Sequence, residues 1–124
     1  IIGKKIKPNY TIQTKNYLEK LFAGLSSTDK IIRCATMVAF EAHAERMIKE
    51  LWQTITKLTD IDKDDLDYFR THVGEDDPAE KYHVQTTTEM IAKLVSFNEI
   101  PRFLDEFKRA YAVNVEWCRA IAGN

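Results

Sequence analysis

A chain of 124 residues is the length of one domain, enough to bury a core with four or five helices and no more. Eighteen basic residues against nineteen acidic ones leave a formal charge of −1, which removes the electrostatic case for nucleic acid or an anionic membrane as a partner. Cys34 and Cys118 each stand in an apolar helical pattern and read as free thiols of a reducing compartment. No stretch has the form of a signal peptide or membrane span, so the expectation is a cytoplasmic protein.

The chain opens at Ile1-Ile2-Gly3 without a methionine, the expectation being a processed chain or a domain of a longer protein. Apolar residues recur at spacings of three and four in nearly every segment, which predicts an all-α bundle of about five helices forming one domain over 1–124. The first helix is expected from Thr11 to Leu25, with Ile12, Tyr17, Leu18, Leu21 and Phe22 inward and Gly24 with Ser26-Ser27 ending it. Ser26, Ser27 or Thr28 caps a second helix to Leu58, with Asp29 in its first turn. Asp62 opens a third through Leu66, Tyr68, Phe69, His72 and Val73. Asp77-Pro78-Ala79-Glu80 has the form of a capping box with proline at the first helical position, starting a fourth helix to Val95. After a break at Phe97-Asn98-Glu99-Ile100-Pro101, the aromatic series Phe103, Leu104, Phe107, Tyr111, Val115, Trp117, Cys118 and Ile121 marks the last helix.

Glu41 is the residue with the most chemistry to explain. It follows the run Ile31 to Phe40, almost all small or apolar, so its carboxylate is expected in the core, where it requires protonation, a buried cation or a bound metal. At 100° per residue it shares a stripe with Val38, Glu45, Ile48 and Trp52, the alternative being that Glu41 and Glu45 edge a surface helix. His43 points about 200° away and reads as a packing histidine. Downstream, His72, Asp76, Glu80 and His83 fall within about 80° on an ideal helix. His72 and His83 are roughly 16 Å apart along it, too far for one ion unless the Gly74 or Pro78 break folds the run back. Glu80 and His83 form a Glu-x-x-His pair, the spacing by which helical bundles set an oxygen and a nitrogen ligand side by side, and Asp76 extends it. Capping and helix-dipole roles account for Asp76, Asp77, Glu80 and His72 equally well.

The order of a small-residue helix with one central Glu41, then Tyr68-Phe69-x-x-His72-x-x-x-Asp76, a further histidine and an aromatic last helix with Trp117 resembles the haem-oxygenase-like di-iron oxidases. That group includes the CADD-type proteins and is related in fold to the TenA and PqqC families. The resemblance implies the carboxyl-terminal part of a haem-oxygenase-like bundle, dimeric, binding two irons and activating dioxygen for oxidation of a small-molecule substrate. Its metal ligands would be Glu41, His72, Asp76 and His83, with Glu80 as a substitute or supporting acid, and manganese as the alternative metal. Two departures stand out. The family's second late histidine falls at Ala79, with His83 four residues on, and its early Glu and His have no counterpart before Lys30. A metal-free helical module that dimerises or binds a small ligand, with Glu41 paired to Arg33, Lys49 or His43, is the alternative expectation. A TenA-like hydrolase using Cys34 is a third, for which no base is evident in the sequence.

Overall fold

The computed structural model describes residues 10–62, 65–67, 69 and 78–123, with side chains over the same ranges except 78–84. All regular elements among them are helical: α1 (Ile12–Leu25), α2 (Lys30–Leu58), α3 (Pro78–Leu94), a 3₁₀ turn (Phe97–Glu99) and α4 (Ile100–Ile121). Among the described residues no helix is long and apolar enough to cross a membrane.

The helix starts follow from local hydrogen bonding. Thr11 takes an extended conformation and its hydroxyl accepts the Thr14 N–H at 3.2 Å, satisfying one of the amides left over at a helix start. The cap of α2 is Asp29, one residue beyond the expected Ser26–Thr28, because its carboxylate reaches two amides at once, Ile31 at 2.9 Å and Ile32 at 3.3 Å. Ser27 is left to brace the turn, its hydroxyl accepting the Asp29 N–H and its carbonyl accepting Arg33 Nη1 at 2.6 Å. The expected break at Phe97 proves to be a capped 3₁₀ turn. Ser96 and Glu99 satisfy each other reciprocally there, and Pro101 then sits in the first turn of α4, where the amide it lacks is not required.

Two charge contacts tie the α4 entrance to the start of α2: Arg102 to Asp29, and Lys30 Nζ to Glu99 Oε1 at 3.2 Å. At the other end of α4, Trp117 reaches Thr14 near the start of α1. Helices α2 and α4 therefore run parallel, and α1 lies antiparallel across both. The α2–α4 contact is the largest, α1 seals one side, and α3 meets α2 over a short stretch.

The core is narrow and built from small side chains. Ile31, Cys34, Ala35, Thr36 and Ala39 form the buried face of the first half of α2, and their size lets the neighbouring helices come close. Gly24 on α1 shows how close, since a Cβ there would stand 2.5 Å from Thr36 Oγ1. Further along, the buried face of α2 turns, and Trp52 stacks on Phe69 with ring planes 8° apart. The expected inward set of α1 needs correction. Tyr17 is buried and Leu21 half-buried, whereas Ile12, Leu18 and Phe22 are exposed, Phe22 by 73%. A helix of this length covered on one side by two partners buries only a narrow stripe. The expected helix opened by Asp62 falls mainly outside the described residues.

Candidate functional site

Asn114 is a polar side chain only 2% exposed in the middle of α4. An asparagine so placed needs partners for its carbonyl oxygen and its amide. The Tyr17 hydroxyl donates to Oδ1, and Nδ2 donates to the Ala110 carbonyl one turn back at 3.0 Å. Trp117 holds Tyr17 in place, its ring stacked on the phenol with centroids 4.6 Å apart and planes 12° apart. The Trp117 indole N–H donates to Thr14 Oγ1 at 3.0 Å. Burial, with Cys118 nearby, pushes the Tyr17 hydroxyl above its usual pKa, so it remains a donor to Asn114 at neutral pH.

Beside this pair a cavity of about 470 Å³ opens between α1, α2 and α4. Leu21, Gly24, Ile32, Ala110 and Val113 supply most of its wall, Thr36 a hydroxyl, and Lys20, Glu106 and Arg109 its charges. Arg109 Nη1 stands 3.5 Å from Glu106 Oε1. Among the described residues, the second Nδ2 hydrogen of Asn114 and the oxygen lone pairs of Tyr17 carry no further hydrogen bond, so this pair in the cavity lining has capacity both to donate and to accept.

A second hollow, of about 390 Å³, lies where α2 meets the far end of α4. His43 faces Cys118 there, Nε2 to Sγ at 3.7 Å, and the Tyr111 ring meets the imidazole edge-on with centroids 5.7 Å apart. Burial, then Arg46, lowers the His43 pKa, against an opposing effect of Glu50. Burial, then Glu50, raises that of Cys118. The resting pair is therefore an uncharged thiol beside an uncharged imidazole.

The residues expected to bind metal stand differently from this. Glu41 is exposed, which corrects the expectation of a carboxylate held in the core. Ala39 is buried, and two residues further on a helix has turned about 200°, so the stripe next to the core passes through Ala39 and His43 while Glu41 faces away. Glu45 is exposed as well. Cys34 is buried, so it and Glu41 do not share an environment. His72 and Asp76 lie outside the described residues. Glu80 and His83 belong to α3, and their side chains lie outside the described ones. Among the described residues, no group of three histidine, cysteine, aspartate or glutamate side chains is placed to hold a metal ion.

Reading apolar periodicity alone passes over Asn114, because it counts hydrophobic positions and treats a polar one as surface. The available signal was an amide flanked by Val113 and Val115 between Tyr111 and Trp117. His43 was visible as the residue one turn after Ala39; its partner, 75 positions further on, was not. No known protein family, curated protein or solved structure matches the chain.

Proposed function

We propose that the α1–α2–α4 unit is a binding module for a small, mainly apolar molecule carrying one group that both donates and accepts hydrogen bonds. The observation that carries this reading is the cavity of about 470 Å³ with a mainly apolar lining that includes the Tyr17–Asn114 pair. Its size is within the range that encloses a compact organic ligand, and ligand sites commonly combine apolar walls with a few oriented polar groups. The pair is held by the Trp117 stack and the Ala110 carbonyl before any guest arrives, so little ordering is left to oppose binding. The probe is 2-naphthol, an aromatic body with a hydroxyl, titrated by calorimetry. Saturable one-to-one binding that disappears in Ala110→Phe, a variant that fills the cavity, supports the reading. Binding that survives the filled cavity, or none to the parent, overturns it.

An iron-dependent oxidase is the second reading. What favours it is that Glu80 and His83, three residues apart, both belong to the continuous helix α3. Iron there would supply dioxygen chemistry, and these two side chains would supply one oxygen and one nitrogen donor. Equilibrium dialysis against Fe(II) under argon tests it. Retention lost in both Glu80→Ala and His83→Ala supports the reading, and a parent that retains no iron sinks it.

A further inference from the structure

The hollow at the far end of α4 holds chemistry that ligand binding in the first cavity does not use. Cys118 Sγ and His43 Nε2 are 3.7 Å apart, both half-buried and both lining the space of about 390 Å³. With its ring proton on Nδ1, His43 presents the Nε2 lone pair to the thiol hydrogen, the placement required for taking that proton as the sulfur attacks. The edge-on Tyr111 ring fixes the plane of the imidazole. Met47 and Val115 form an apolar side of the hollow, while Arg46 and Arg119 set two positive charges against the single carboxylate of Glu50, which Arg46 engages at 3.1 Å. The excess positive charge favours a reagent bearing carboxylates. Cys34 is only 5% exposed and borders neither space.

We propose that Cys118 is a site of reversible mixed-disulfide formation with a small, carboxylate-bearing disulfide, with His43 accepting the thiol proton. His43 Nε2 takes the proton, the Cys118 sulfur bonds to one sulfur of the disulfide, and the sulfur–sulfur bond of the reagent breaks. The departing thiolate takes the proton back from the imidazolium. One thiol and one disulfide are consumed and one of each is formed, so no other oxidant enters.

The test incubates the whole chain with glutathione disulfide at neutral pH and follows each cysteine by peptide mass mapping. Cys118 is expected to react faster than free N-acetylcysteine under the same conditions, with Cys34 unmodified. His43→Gln is expected to slow Cys118 by about a hundredfold, the usual contribution of a positioned base. Replacing both Arg46 and Arg119 by Gln is expected to remove the preference for glutathione disulfide over the uncharged bis(2-hydroxyethyl) disulfide without changing the rate with the latter. Should His43→Gln fail to fold, the comparison with N-acetylcysteine and the arginine variant still decide the matter. A Cys118 slower than N-acetylcysteine, an unchanged rate in a folded His43→Gln, or no preference between the two disulfides overturns the proposal.

Discussion

Two faces of the same helix treat their polar groups in opposite ways. Toward α1, Asn114 and Trp117 are tied to Tyr17, Thr14 and the Ala110 carbonyl, and an aromatic stack is added to those hydrogen bonds. Toward α2, Cys118 and His43 meet over one long sulfur–nitrogen contact beside the second hollow. The difference concerns function as much as stability. A network held at several points resists change and gives a guest a rigid surface, whereas a side chain held by one weak contact is less constrained.

That contrast predicts an ordered series of effects. Asn114→Ala, the largest, leaves the buried Tyr17 hydroxyl without its acceptor and is expected to lower unfolding stability by about 2–3 kcal/mol in urea titration. A loss under 1 kcal/mol would mean that the network contributes little. Gly24→Ala follows at about 1–3 kcal/mol, because the new methyl collides with Thr36. Thr36→Ala in the same chain is expected to recover part of the loss, and strict additivity of the two changes would show that the contact is not the cause. Tyr17→Phe should cost about 1 kcal/mol by removing one donor. On the sparse face, Cys118→Ala is expected to stay within about 0.5–1 kcal/mol of the parent, and a larger loss would show that this face is structural after all.

Acid sensitivity sharpens the same comparison from a third region, the junction of α2 and α4. Arg102 and the helix-start amides hold the Asp29 carboxyl below its usual range, and the Ser96 amide and hydroxyl together with Lys30 do the same for Glu99. Lowered folded-state values mean that this stabilisation is fully present above the ordinary carboxylate range and is lost as the pH falls below it. Urea midpoints measured from neutral pH downward should therefore decline through the acid range, and Asp29→Asn with Glu99→Gln should flatten the decline. An unchanged slope would remove the junction from the account.

The chain by itself determined the helices. Thr11, Gly24, Pro78 and Pro101 are local signals, and α1, α2, α3 and α4 begin and end within a few residues of where capping and periodicity put them, because those preferences act over one or two turns. Which stripe of each helix faces inward was decided only by tertiary structure. The turns of helix just before Glu41 are almost entirely small or apolar, so periodicity had little contrast from which to choose, and packing selected the stripe through Ala39 and His43 and left Glu41 exposed. The same packing joined Tyr17 to Asn114 and His43 to Cys118 across 97 and 75 positions. Side-chain pairing at that distance depends on how whole helices are laid against one another, a property that no local pattern encodes.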